Sequence, residues 1–111
     1  MAASFKILCH QTESSLHLKL LGDFDDTSVY ELMEFLKKHH GWPHGTFIHT
    51  DGLNRVNPMA GTTLLAQLHV SRIQTDRLAF TGGHAAQIAP FGNNLALDQP
   101  MNNYNEAQRN G

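Results

Sequence analysis

Several small groups of side chains in this sequence have the types and spacing for chemistry. His49 and Asp51 stand two positions apart in a β-rich run, so they share one side of a strand and form a candidate acid–base pair. No nucleophile is placed by motif to accompany them. Asp23, Asp25 and Asp26 could ligate a cation, but carboxylates just ahead of a helix more simply complement its positive end. His39, His40 and His44 invite a metal. They lack an i, i+4 pair and span a helix end and a Pro-containing turn, which suits a cationic C-terminal cap. No metal site is therefore expected. Thr81-Gly82-Gly83-His84 can offer backbone N–H groups to an anion, yet it lacks the Lys of a phosphate loop, and a plain strand-to-helix turn accounts for it. Cys9 is the only cysteine, which rules out an internal disulfide; a buried, inert thiol is the default.

The elements that position these groups follow from periodicity. Residues 5–10 and 16–21 alternate apolar and polar, with Phe5, Ile7 and Cys9 on one side of the first run and Leu16, Leu18 and Leu20 on one side of the second. The link at residues 11–15 is short enough for a hairpin, so these strands pair antiparallel. Ser28 and Glu31 have capping-box spacing, and Val29, Leu32, Met33 and Leu36 recur at helical spacing. Lys37 and Lys38 end that helix, Gly41 stops it, and residues 42–45 turn the chain back.

Residues 46–50 are a β-rich run that stops at Asp51-Gly52, with Phe47 and Ile48 making a short, central third strand. A polar connection leads to Asn57 as a helix cap and Pro58 as the first helical residue. Gly61, Leu64, Leu65 and Leu68 line one face of this second helix. Gly61 costs roughly 1 kcal/mol against Ala there, so close packing or backbone access must account for it. Residues 78–81 form a fourth strand, residues 84–91 a short helix cut by Pro90. A last strand falls near 95–97 or 101–104, and the final residues fray. The expected fold is α/β: a mixed four- to five-stranded sheet with an N-terminal antiparallel hairpin, right-handed crossovers and helices largely on one side. One domain spans 1–111, with its core at about 5–91 and an extension at 92–111.

Composition narrows the function classes. Charged residues make up only 16% and the net charge is −2, so the chain is globular and no basic patch is present to hold a nucleic-acid backbone. Apolar runs of a few residues are far too short to span a bilayer, and no leader precedes them, so membrane insertion is not expected and a cytoplasmic location is.

Three local patterns give this order of elements a family resemblance. Gly22-Asp23-Phe24-Asp25-Asp26 before the first helix is similar to a Gly-x-Leu-Asp signature. Thr50-Asp51-Gly52-Leu53 after the third strand resembles an Asp-Leu-Ser segment, and Pro58-Met59-Ala60-Gly61 falls where that family carries Asp-Ser-Ser-Gly. The chain thus resembles the STAS domain, named for sulphate transporters and anti-sigma-factor antagonists. The resemblance implies a STAS-like fold and, in the bacterial antagonists, phosphorylation of the first Ser by a partner kinase. A phosphate there is held by free helix amides and adds about −1.5 to −2 of charge to a docking surface. The matching position here is Met59, preceded by Pro58, and neither accepts phosphate. No phosphosite is expected; Thr62 and Thr63 are remote alternatives one turn on.

The resemblance implies a non-enzymatic interaction module whose partner is an anti-sigma-factor kinase or another STAS-containing regulator, with homodimerisation left open. Its docking surface is Asp51, Gly52, Leu53, Asn54, Asn57, Pro58, Met59, Ala60, Gly61 and Thr62. An apolar Met at an exposed helix tip suits a constitutive contact. The alternative is a small-ligand sensor holding an anion, nucleotide or lipid in a strand-end crevice formed by Asp23, Asp25, Asp51, Gly82 and Gly83, where open α/β sheets bind ligands. No cofactor is expected, and no catalytic residues are assigned.

Overall fold

The computed structural model describes residues 4–39, 45–73 and 75–89. Its elements are β1 (Lys6–Gln11), β2 (Leu16–Phe24), α1 (Asp26–Lys38), β3 (Thr46–His49), β4 (Leu53–Val56), α2 (Ala60–Val70), β5 (Leu78–Thr81) and α3 (Ala85–Ile88), with a single 3-10 turn at Thr75–Arg77. The turn at 42–44, the Gly41 stop, Pro90 and the last-strand alternatives lie outside the described residues.

The sheet runs β1-β2-β3-β5, and β4 also pairs with β2. β1 and β2 form the expected antiparallel hairpin, and β2–β3 and β3–β5 are parallel, which makes β3 central. Register fixes the faces. Leu18, Ile48 and Phe80 are partners across three strands, and all are fully buried. They belong to one core cluster with Val29, Leu32, Met33 and Leu36 of α1, Leu64 and Leu68 of α2, and Ile88 of α3. α1, α2 and α3 thus cover one face of the sheet. Each fully buried Leu or Ile stabilises by about 1.5–3 kcal/mol relative to exposure, and this layer of apolar contacts is the fold's main support.

β4 is absent from the sequence-based expectation, which has a polar loop there. Its sequence Leu53-Asn54-Arg55-Val56 buries Leu53 alone, so no alternation marks it. It forms because β2 is nine residues long and β3 covers only its first part; β4 pairs in parallel with the remainder, Leu53 opposite Gly22 and Val56 opposite Phe24. The turn at residues 50–52, closed by Leu53 N–H to the Thr50 carbonyl, breaks what is otherwise one line of chain along β2.

Both helix starts differ from expectation. Asp25, not Ser28, caps α1: its carboxylate accepts from the Ser28 N–H at 3.0 Å, while the buried Ser28 hydroxyl donates to the Asp23 carbonyl at 2.8 Å. An ionised acceptor at the positive end of the helix is the stronger cap, typically contributing about 1 kcal/mol. The second helix begins at Ala60, two residues after Pro58, with Met59 at its cap position and no side-chain cap bond. Asn57 instead closes a turn around Pro58, its side-chain oxygen accepting from the Met59 N–H at 2.9 Å and its carbonyl from the Ala60 N–H. Asn-Pro favours such a side-chain-closed turn, and this displaces the helix start. Cys9 is also corrected, because it is exposed. β1 is an edge strand, and Ile7 is its one residue that is even half-buried.

Candidate functional site

Residues 50–62 run from the C-terminal end of β3 through β4 to the first turn of α2, the docking tip anticipated from the sequence, and they start where the C-terminal ends of β3 and β5 lie side by side. Two neighbouring ends are joined there. The Thr50 N–H donates to the Thr81 carbonyl at 2.9 Å and the Thr50 hydroxyl donates to the same oxygen at 2.7 Å. That hydroxyl also accepts from the His84 N–H at 3.2 Å. Both threonines are fully buried, so the clamp is protected from competing water.

Asp51 sits on top of this clamp. Its carboxylate accepts from the Gly83 N–H at 2.8 Å, and a Cβ at Gly82, whose φ is +98°, would come within 2.7 Å of the same oxygen. Asp51 therefore does meet Gly82 and Gly83, but its own carboxylate takes the amide that an anion would use. Asp25 is engaged in capping α1. Asp23 pairs opposite Arg55 in the β2–β4 ladder. The residues of the anticipated crevice are thus tied into structural contacts.

The structure divides the anticipated docking set. Asp51, Asn54, Asn57, Pro58, Met59 and Thr62 are exposed, Gly52 is half-buried, and Leu53, Ala60 and Gly61 are buried. Gly61 lies where α2 meets α3, with space for a Cβ only 2.5 Å from the Gln87 carbonyl oxygen. Close packing accounts for this glycine. Met59 is 61% exposed, one of the exposed large apolar side chains together with Val70, Tyr30 and Leu8. Thr63 is bonded to the Met59 carbonyl at 3.2 Å and to Asp26 of α1 at 3.3 Å, which ties the N-terminal turns of the two helices together. Arg55 adds an exposed cation to the tip that the sequence pattern did not single out.

His49 makes a different alliance from the one expected with Asp51. Its Nδ1 lies 2.6 Å from the Thr81 hydroxyl and its Nε2 lies 3.1 Å from Nδ1 of His17, in ring planes within 4° of parallel. Burial pushes His17 and His49 down to about 4. The His49 and His10 charges act with burial at His17; at His49, Asp51 opposes it and Lys19 adds to it. Both rings are neutral at pH 7. No local signal marks this pair, because only strand pairing brings position 17 beside position 49. Among the described residues no group of three or more His, Cys, Asp or Glu is placed to hold a metal ion, and no helix is long and apolar enough to cross a membrane.

No family model matches the chain, and no curated protein matches it in sequence. Solved structures do match in shape. The anti-sigma factor antagonist SpoIIAA in its unphosphorylated form superposes with a TM-score of 0.59 at 10% identity, covering 95% of this chain and 96% of that one. The Bacillus cell fate determinant SpoIIAA in the phosphorylated form gives 0.58 at 11% identity, covering 94% and 99%. An anti-sigma factor antagonist from Mycobacterium paratuberculosis gives 0.56 at 11% identity, covering 96% and 95%. The chain has the STAS fold of these antagonists, with a five-stranded mixed sheet and three helices among the described residues.

Proposed function

We propose that this chain is a regulatory protein–protein interaction module of the anti-sigma-factor-antagonist type, which works without catalysis and without the serine phosphorylation switch. One observation carries the reading: Met59, 61% exposed, stands at the tip of α2 where the family resemblance places the acceptor Ser. A thioether there takes no phosphate. It offers an adaptable apolar contact, and Asp51, Asn54, Asn57 and Thr62 of the same segment are exposed polar residues. The Thr50–Thr81 clamp fixes the start of the segment that carries this surface, which limits the ordering entropy lost on docking. The partner class is an anti-sigma-factor kinase or another STAS-containing regulator.

The small-ligand reading receives less support, since Asp51 already occupies the Gly83 amide and Asp25 caps α1. The test is to titrate wild type and Met59→Asp against a histidine-kinase-like anti-sigma factor from the same source. A buried negative charge at the centre of the contact should weaken binding by about tenfold or more. Equal affinity of the two proteins would remove the basis for this reading.

A further inference from the structure

The face of the sheet opposite α1, α2 and α3 carries a polar line that the docking tip itself does not use. It runs from His17 on β2 through His49 on β3 to Thr81 on β5, and all three are buried. Phe47 stacks on His17 with ring centroids 4.8 Å apart. Among the described residues, the titratable and charged groups facing the pair include His10 from β1, whose ring lies 6.2 Å from that of His17, Lys19 on β2, the register partner of His49, and Asp51 beyond β3.

Proton counting shows what this line can do. A neutral imidazole has one N–H. Two neutral rings satisfy both contacts: either Thr81 donates to His49 and His49 to His17, or every bond runs in the opposite direction. One added proton is also accommodated, because a charged His49 donates from Nε2 to His17 and from Nδ1 to Thr81. A second is not. Nδ1 of His17 and Nε2 of His49 would then each carry hydrogen and face one another across 3.1 Å, with two like charges out of water.

We propose that the His17–His49 pair is an acid-operated latch set behind the docking loop. Binding of the second proton breaks the contact between the rings and draws His49 off Thr81. His49 precedes Thr50 in the chain, and Thr50 and Thr81 together hold the ends of β3 and β5. Opening the latch therefore loosens the base on which Asp51 and the tip stand, and acid lowers docking competence. The loop's importance rests on the function proposed above, whereas the latch itself is read on the free chain.

The experiment is NMR on the free protein from pH 7.5 to 3, following the ring resonances of His17 and His49 and the exchange of individual amides corrected for intrinsic pH dependence. The amides of Thr50 and His84 report on the clamp, and Leu68 in α2 reports on global opening. Two coupled histidine steps are expected, with exchange at Thr50 and His84 rising in the second at least tenfold more than exchange at Leu68, which follows the fall in global stability. His17→Gln, whose amide can still bond to His49 but takes no proton, should abolish that rise. Thr81→Val should uncouple the clamp from the histidine steps, and Thr81→Ser should retain the coupling. The proposal is overturned if exchange at Leu68 rises by the same factor as at Thr50 and His84 in that step, if Thr50 and His84 ignore the histidine titration, or if His17→Gln responds as wild type does. Loss of the latch would leave the Met59 docking test untouched.

Discussion

Nδ1 of His17 lies 3.1 Å from Nε2 of His49, although the two residues are 32 positions apart and stand on different strands. β2 and β3 run parallel with His17 opposite Phe47 and Lys19 opposite His49, so the two imidazoles meet on a diagonal of the face opposite α1, α2 and α3. Their meeting makes this face an acid-sensitive part of the molecule.

Stability should therefore fall with acid. Both histidines are lowered from 6.5 to about 4 in the folded chain, so between those values the unfolded state binds more protons. Their contribution is complete above pH 6.5 and is lost as pH falls toward 4. The slope is at most about 1.4 kcal/mol per pH unit for each proton taken up. Urea midpoints at pH 7.5 and 5 should differ more for wild type than for His17→Gln; identical differences would show that the pair is not the source.

Gly61→Ala should destabilise the domain even though Ala is the better helix former. The new methyl group would sit 2.5 Å from the Gln87 carbonyl and 3.1 Å from that of Ile88, both backbone atoms of the α3 segment. Overpacking of this kind costs typically 1–3 kcal/mol, against a propensity gain of about 1. A lower urea midpoint at unchanged m is expected, and a higher midpoint would contradict the close α2–α3 approach.

Arg72→Gly should stabilise it. Arg72 follows the end of α2 with φ at +58°, while its N–H donates to the His69 carbonyl and that of Ile73 to Leu68. This left-handed C-terminal motif suits glycine, and relief of the side-chain clash outweighs the extra unfolded-state entropy by about 0.5 kcal/mol. Thermal unfolding should move up by a few degrees for a chain of this size. A downward shift would show that the Arg side chain makes contacts worth more than the strain.

Much of the framework was legible because its signals are local. The alternation of Leu16, Leu18 and Leu20, the helical recurrence of Val29, Leu32, Met33 and Leu36, and the break at Gly82-Gly83 each depend on neighbours in the chain. So do the short patterns from which the STAS resemblance was read, and the solved structures agree with the fold they imply. The exact helix starts were not legible, since Asp25 and Ser28 are both competent caps and only the backbone conformation at Asp25 selects between them.

What the tertiary structure alone decided is the set of contacts made between distant strands. Leu53-Asn54-Arg55-Val56 becomes a strand because β2 outlasts β3 and leaves backbone groups to pair. Asp51 turns from a candidate acid–base partner of His49 into an acceptor for the Gly83 amide. His49 turns instead to His17 and Thr81. Composition and periodicity specify which face of an element is buried. They do not specify which polar groups share that burial, because the partners are chosen by strand order and register.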